Sequence, residues 1–282
     1  MRTVNRETIV SAVADMCVRA ACDLPDEIAT ELEKARSLET SERGRAILAR
    51  CIENAHIASR DRIPLCQDTG VAVFLVELGT DVHINGGTLE QAIQEGTELG
   101  YRKGYLRKSI VTDPVFDRHN TGTNTPAVVH LDTVAGDMLS ITMAPKGAGC
   151  ENMSALAMLK PGDGAEGVAD FVVSSVIEAG GNPCPPCIVG VGIGGAFETA
   201  ALLSKKALFR SPPGSHHPDA RYAELEESIL SRVNDSGVGP QGLGGRVTAL
   251  AVHIETFPCH IASLPVAVNL NCHAARHVRI DL

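Results

Sequence analysis

Three cysteine-containing segments constrain the fold of this 282-residue chain more than any other feature. They are PLCQDTG around Cys66, NPCPPC around Cys184 and NLNCHAARH around Cys272, and they stand 118 and 88 residues apart. Only tertiary structure could bring cysteines this far apart in sequence to one centre. A structural zinc site takes four protein ligands, whereas an iron–sulfur centre held by three leaves one metal position open. The question is therefore whether these cysteines form a closed structural metal site or a site with one open metal position.

Composition excludes several classes of protein. The net charge is −9, which argues against a general nucleic-acid binder, because neutralising phosphates needs clustered Lys and Arg. Aromatic residues make up 3% of the chain and Trp is absent, so base-stacking platforms are not expected. The sequence contains neither an apolar run long enough to span a membrane nor an export signal, and we expect a cytoplasmic protein. Nine cysteines in such a chain favour metal binding or catalysis over a disulfide framework.

The pattern of apolar residues predicts a mixed α/β fold. We expect a single domain over residues 1–282, with a helical segment at 1–60 and an α/β core at 61–282, in which helices pack on mixed sheets. Thr88 and Gln91 form a capping box that begins a helix, and a turn at Gly136 separates two predicted strands. The predicted strands are 71–78, 127–134, 137–144, 187–193, 247–255 and 264–270, and further helices are 164–179, 196–209 and 220–233.

The cysteines allow two other interpretations. Cys184 and Cys187 have the C-x-x-C spacing of redox dithiols, but a strand follows them where a thioredoxin-like site needs a helix. A zinc-stapled binding module could recruit Cys184 and Cys187 together with residues from the Cys259–His260 and Cys272–His273 pairs, although this spacing is not that of a known zinc knuckle.

Two glycine-rich turns suggest anion binding. Residues 190–195, GVGIGG, satisfy the G-x-G-x-x-G pattern of a nicotinamide-binding oxidoreductase, but the acidic residue expected about twenty positions later is missing. We favour a turn whose amides face an anion or cluster sulfurs. Residues 146–152, KGAGCEN, lack the end of a P-loop, and their amides could hold a carboxylate.

Taken together, the motifs resemble the iron–sulfur-dependent class I fumarase and tartrate dehydratase family. The matching stretches are PLCQDTGVAVF, NTGTNTPAVVHLD, APKGAGCENMS, NPCPPCIVGVGIGG and CHIASLPVAVNLNCHAAR, and they follow the order of the family over residues 64–276. Single-chain members are about twice as long, so this chain resembles the α subunit of a two-subunit enzyme. The resemblance implies a [4Fe–4S] cluster, a separate β subunit that completes the active site, and an α2β2 assembly.

The resemblance also assigns roles to individual residues. Cys66, Cys184 and Cys272 fall on the three cluster ligands, whereas Cys150 and Cys187 fall on positions without a ligand role. Asp68 is implied as the general acid that protonates the leaving hydroxyl. The remaining matches imply contacts with a dicarboxylate substrate, and these residues are Gln67, Arg107, Gly149 and His260, with Arg102 as the alternative to Arg107.

The implied reaction is the reversible hydration of fumarate to (S)-malate, as in the tricarboxylic acid cycle. The alternative is dehydration of tartrate to oxaloacetate, because the two substrate pairs differ by one hydroxyl. The base that removes the carbon-bound proton is expected on the β subunit, so the α chain alone is expected to bind a cluster without turnover. An iron without a protein ligand is also expected to make the enzyme sensitive to oxygen.

Overall fold

The computed structural model describes all residues from 1 to 282, and it has the mixed α/β architecture that the sequence predicts. The helices are α1 (Arg6–Cys22), α2 (Asp26–Leu38), α3 (Glu42–Asp61), α4 (Leu89–Lys103), α5 (Ala148–Glu151), α6 (Gly164–Ala179), α7 (Phe197–Ala207) and α8 (Ala220–Asn234). The strands are β1 (Arg2–Asn5), β2 (Val71–Gly79), β3 (Val82–Asn85), β4 (Val128–Val134), β5 (Leu139–Lys146), β6 (Ala155–Leu159), β7 (Cys187–Gly194), β8 (Ala249–Phe257), β9 (Leu264–Asn271) and β10 (Val278–Asp281). No helix is both long and apolar enough to cross a membrane.

The chain forms two compact units. The first unit consists of Met1–Leu24, Ala55–Ala148 and Arg276–Leu282, and the second consists of Pro25–Asn54 and Gly149–Ala275. The helical segment predicted for residues 1–60 is present as α1 to α3, preceded by the short strand β1. Its residues are shared between the two units, since α1 belongs to the first and α2 to the second.

The first unit is built on a four-stranded sheet of order β10-β5-β2-β4. Its core contains the buried side chains of Phe74 on β2 and Ile141 and Met143 on β5, together with Ile9 on α1 and Ile93 on α4. The capping box predicted at Thr88 is present, because the Thr88 side chain accepts from the Gln91 amide and Gln91 from the Thr88 amide. A small parallel pair, β1 with β3, completes this unit.

The two strands predicted on either side of Gly136 both form, but they are not neighbours. β2 lies between them, pairing with β4 in parallel and with β5 in the antiparallel sense. Neighbouring strands lie about 4.8 Å apart, so the few residues around Gly136 have to cross the end of one strand. The Thr80 amide donates to Val134 O and the Gly79 amide to Met138 O, and these bonds fix the connection against β2.

The second unit is built on a sheet of order β6-β9-β7-β8. β7 is buried along its whole length and pairs in parallel with β8 and antiparallel with β9. Its glycines have a packing role: a Cβ at Gly190 would stand 2.1 Å from Ser204 O, and one at Gly192 would stand 2.1 Å from Ala200 O. Ala200 and Ser204 lie on α7, so these glycines allow α7 to pack closely on β7.

The prediction that the amides of residues 190–195 face an anion or cluster sulfurs is therefore wrong. Gly190 and Gly192 lie inside β7, and the amide of Gly195 donates to Phe257 O at 3.2 Å instead of facing an anion. The turn also follows the C-terminal end of β7, whereas Cys184 precedes its N-terminal end. An eight-residue strand extends over about 26 Å, so these amides do not face the predicted ligand Cys184.

Candidate active site

The PLCQDTG segment, residues 64–70, leads directly into β2 in the first unit. Gly70 adopts φ +72°, and a Cβ at this position would stand 2.8 Å from the backbone of Lys146, so the segment passes close to the end of β5. The Tyr101 hydroxyl donates to Thr69 O at 2.6 Å, and the Asn124 amide donates to Gly70 O at 3.1 Å. Both side chains are buried, so they hold the segment from its inner side.

Asp68 is the best-fixed side chain of this segment. Its Oδ1 accepts from the Gly70 amide at 2.9 Å, and its Oδ2 accepts from the Ala148 amide at 2.8 Å. Ala148 belongs to the KGAGCEN turn, whose amides were predicted to hold a carboxylate; the carboxylate in contact is that of Asp68. Each carboxylate oxygen can accept more than one hydrogen bond, so Asp68 keeps acceptor capacity for a ligand.

The other predicted residues of the first unit lie on the same segment or are tied to it. Cys66 is half-buried and its thiol donates to Gln67 Oε1 at 3.3 Å. Arg107 is exposed, and its carbonyl accepts from the Thr69 hydroxyl at 2.8 Å. Arg102, the alternative to Arg107, lies on the last turn of α4 beside Glu98 at 3.8 Å. The contact with Thr69 places the Arg107 main chain beside the segment that carries Asp68.

In the second unit the fold brings Cys184 close to Cys272. Cys184 precedes β7 and Cys272 follows β9, and because these strands are antiparallel neighbours, with Ile188 opposite Asn271, both cysteines lie at one edge of the sheet. Cys184 O accepts from the amide of His273 at 3.4 Å and lies 3.1 Å from its Nδ1. This contact links the two cysteine segments directly.

The Cys184 loop is held in an uncommon conformation. Cys184 has φ +54°, in the left-handed region that residues other than glycine rarely adopt, and such residues concentrate at functional sites. Pro185 O accepts from both the backbone amide and the Nε2 of Gln241, each at 2.9 Å. Gln241 also lies 3.2 Å from His273 Nδ1. Gln241 was not expected from the sequence, because it belongs to no pattern with a chemical meaning of its own, and His273 was named only as a possible zinc ligand.

His273 connects this site to α3. Burial lowers the pKa of its imidazole. The hydrogen bond with the Cys51 side chain and the charge of Cys272 raise the pKa by more than burial lowers it, so the net pKa is about 9. A cavity of about 430 Å³ opens beside it, lined in part by Cys51, Gln241 and the side chains of Arg43 and Arg50.

Gly149 belongs to the same unit as Cys184. It is exposed, and a Cβ there would stand 3.0 Å from Asn182 O, so the residue lies against the loop that carries Cys184. The next residue, Cys150, is buried, and its thiol donates to Pro183 O at 3.4 Å. Cys187 is also buried, at the start of β7, which agrees with a packing role for both cysteines.

His260 lies away from the two cysteine ligands of its own unit. It precedes β9 and Cys272 follows it, and the eight residues of this strand extend over about 26 Å. His260 is exposed beside an apolar cavity of about 370 Å³ whose lining includes Tyr222 and Leu225. Its Nδ1 accepts from the Ala262 amide at 3.1 Å. A C4 dicarboxylate close to Cys272 is much shorter than this strand, so it cannot also reach His260 of the same chain.

The same geometry bears on the zinc alternative. Cys259 and His260 stand before β9, whereas Cys272 and His273 stand after it, so the four residues cannot share one ion. Nowhere in the chain do three or more His, Cys, Asp or Glu side chains form a group suited to a single metal ion.

The accessible cysteines fit an iron–sulfur cluster by their chemistry. Thiolates are the ligands that such clusters take, and a ligand thiol must lose its proton. Burial raises the pKa of Cys17 to about 12 and also raises the pKa of Cys22, which disfavours the thiolate at both. The three predicted ligands are not buried in this way: Cys184 is exposed, and Cys66 and Cys272 are half-buried.

Known proteins resemble this chain over nearly its whole length. The family model described as Fumarate hydratase (Fumerase) matches residues 10–281. A putative L(+)-tartrate dehydratase subunit alpha from Methanocaldococcus jannaschii is 40% identical over 272 residues, covering 95% of each chain. L(+)-tartrate dehydratase subunits alpha from Escherichia coli strain UTI89 and Shigella boydii are each 36% identical over 282 residues, covering 98% of this chain and 90% of the relative.

The chain belongs to the fumarate hydratase (Fumerase) family, and it is a hydro-lyase subunit. The names of its relatives place it among the α subunits of this family, which implies a β partner.

Proposed function

We propose that this chain is the cluster-bearing α subunit of a dicarboxylate hydro-lyase, which hydrates fumarate reversibly to (S)-malate together with a β subunit. The observation that carries the proposal is the environment of Asp68. This carboxylate stands two residues after Cys66, held by the amides of Gly70 and Ala148. A fixed carboxylate beside an accessible cysteine is the arrangement that acid–base chemistry next to a metal centre requires.

Cys66, Cys184 and Cys272 would hold the [4Fe–4S] cluster. When bound, a cluster with three protein ligands supplies an open iron that acts as a Lewis acid toward the carboxylate and hydroxyl oxygens of the substrate. The accessibility of the three thiols supports this assignment, as does the hydrogen-bonded link between the Cys184 and Cys272 segments.

The remaining roles, proton transfer and substrate binding, are assigned to Asp68 and to the other residues predicted from the sequence. In the direction of dehydration, the Asp68 carboxyl gives its proton to the leaving hydroxyl, which departs as water, and in hydration it takes that proton back. The Arg107 guanidinium would bind a substrate carboxylate through two parallel N–H donors. The exposed Gly149 amide and the Gln67 side chain would orient the substrate. His260 is assigned to the substrate by resemblance alone, and its distance along β9 means that it would serve a site outside its own chain's cysteine region.

A second substrate is favoured by the comparisons. The relatives named above are described as L(+)-tartrate dehydratase subunits, so dehydration of L(+)-tartrate to oxaloacetate is the alternative reaction. Both reactions remove or add water across two carbons of a C4 dicarboxylate. The same Asp68 and Arg107 chemistry therefore serves either.

The test is a comparison of substrates with and without the partner. The chain is co-expressed with its β subunit and purified anaerobically, and turnover of fumarate, (S)-malate, L(+)-tartrate and D(−)-tartrate is measured. The proposal expects kcat/KM to be highest for fumarate and malate, and it expects no turnover by the α chain alone. A complex that acts only on L(+)-tartrate establishes the second candidate instead. Turnover of any of these substrates by the purified α chain contradicts the division of the active site between two subunits.

A further inference from the structure

Arg276 is a buried cation that the reaction outlined above does not use. It follows Cys272 by four residues and is only 4% exposed. Its Nη2 donates to Asp68 O at 3.3 Å, whereas its Nε and Nη1 are buried without a hydrogen-bond partner. Burying a guanidinium with unsatisfied donors is costly, so its position calls for a compensating role.

Arg276 lies close to the buried Tyr101 hydroxyl as well as to Asp68. Burial raises the pKa of Tyr101, the positive charge of Arg276 opposes that rise, and the negative charge of Asp68 adds to it. Both charges therefore act on the same buried hydroxyl, which itself donates to Thr69 O in the PLCQDTG segment. Arg276 and Tyr101 therefore contact neighbouring main-chain carbonyls of this segment, those of Asp68 and Thr69.

The contacts of Asp68 divide between its side chain and its main chain. The amides of Gly70 and Ala148 orient the carboxylate, at 2.9 and 2.8 Å. Arg276 alone donates to the Asp68 carbonyl. A shift of the main chain at this residue would move the carboxylate away from both amides, so the Arg276 contact controls where the acidic group stands.

We propose that Arg276 is a positioning residue for Asp68, which fixes its main chain from the buried side. This inference rests on the proposed function, since it gives Asp68 the acid–base role. Arg276 touches neither substrate nor cluster in this account and acts only through Asp68. A lysine can still donate to the Asp68 carbonyl but lacks the planar fork of arginine, so it replaces the contact only in part.

The first test is kinetic and uses the complex of α and β subunits. Arg276→Met is expected to lower kcat about 10- to 100-fold with little change in KM, because a misplaced catalytic group slows chemistry more than binding. Arg276→Lys is expected to recover part of kcat. The matched control is Arg279→Met on β10, since Arg279 is exposed and pairs with Glu77 at 3.0 Å; its kinetics should match wild type.

A double-mutant comparison separates positioning from a general structural effect. If Arg276 acts through Asp68, Arg276→Met in an Asp68→Asn background has little further effect on kcat. The proposal is overturned if the two substitutions lower kcat independently, so that their separate fold-losses multiply in the double mutant. It is also overturned if Arg276→Met keeps wild-type kcat.

A second readout does not depend on activity. Hydrogen exchange of the Gly70 and Ala148 amides is measured by NMR in the full-length α chain, for wild type, Arg276→Met and Arg276→Lys. We expect exchange at these two amides to accelerate in Arg276→Met and to be partly restored in Arg276→Lys, while core amides of β2 stay protected. Unchanged exchange at both amides overturns the inference even if the enzyme is active. If the wild-type complex turns over no dicarboxylate, the proposed function fails, and the exchange data still decide whether Arg276 positions Asp68. If Arg276→Met does not fold, the Arg276→Lys variant supplies both readouts.

Discussion

Replacement of Asp68 by asparagine tests the proposed chemistry at one atom. The carboxylate accepts from the amides of Gly70 and Ala148 through separate oxygens. The asparagine side chain would keep one acceptor oxygen and turn an NH₂ donor toward the other amide, so one hydrogen bond to a charged group is lost. Such a bond contributes about 1.5–3 kcal/mol, and this is the expected loss in the stability of the segment.

The expected loss of activity is larger. General acid–base catalysis contributes about 10²- to 10⁴-fold in rate, so kcat of Asp68→Asn should fall by that factor. At about 1.4 kcal/mol per factor of ten, this corresponds to about 3–5 kcal/mol in the activation barrier. KM should change little, because substrate binding is assigned to other side chains. The assay is steady-state turnover of the anaerobically reconstituted complex, with the visible absorption of the cluster recorded on the same sample.

Asp219→Asn is the matched control. Asp219 caps α8 by accepting from the Arg221 amide at 2.9 Å, so this variant also weakens a carboxylate–amide bond, but far from Asp68 in sequence and in the other unit. Its kcat should equal that of wild type. The reasoning is refuted if Asp68→Asn keeps wild-type kcat, or if its kcat falls only in proportion to the cluster it has lost.

Three further predictions concern binding and stability. Arg107→Gln should raise KM about 10- to 100-fold through loss of a bidentate carboxylate contact, whereas Arg102→Gln should leave KM unchanged; equal effects in steady-state kinetics would count against Arg107. Glu39 is buried and accepts from the amides of Ser41, Arg246 and Val247. Glu39→Ala leaves these three donors without an acceptor, so the free energy of unfolding in urea should fall by about 3–6 kcal/mol. An unchanged free energy of unfolding would contradict this prediction. Burial, with the nearby charge of Arg210, lowers the pKa of His253 from 6.5 to about 4, so the unfolded state binds the extra proton between these values and stability should fall as pH drops from 6.5 to 4. The loss of stability between pH 6.5 and 4 should be smaller in His253→Gln than in wild type. Equal pH dependence of stability in the two proteins would refute this prediction.

The sequence predicted the elements of the fold well because most of them carry a strong local signal. β7 is a continuous apolar run, β9 is apolar except for Asn269 and the terminal Asn271, and α4 begins with a capping box that the structure confirms. The order of strands was not accessible in this way. β2 lies between β4 and β5 although those two strands are consecutive, because hydrophobic patterning gives the face of a strand but not its neighbour.

Residues of the candidate site could be predicted from the sequence where the side chain itself is a reactive group, such as a carboxyl or a thiol. Asp68 and Cys184 stand in motifs whose acidic or thiol group has an evident use. Arg276 was not expected, because arginine is ordinarily exposed and nothing in its neighbours indicates burial. His260 shows the opposite limit: it lies only twelve positions before Cys272 in the sequence, but the extended strand β9 between them keeps the two residues far apart in space.

The most direct test of the central claim is the iron and acid-labile sulfide content of the anaerobically reconstituted chain. We expect about four irons and four sulfides per chain with absorption near 400 nm, as a [4Fe–4S] cluster requires. Serine replacements at Cys66, Cys184 or Cys272 should lose this cluster, whereas Cys259→Ser should keep it. A chain that binds zinc without sulfide, or a Cys184→Ser variant with full iron content, would show that these cysteines do not hold a [4Fe–4S] cluster.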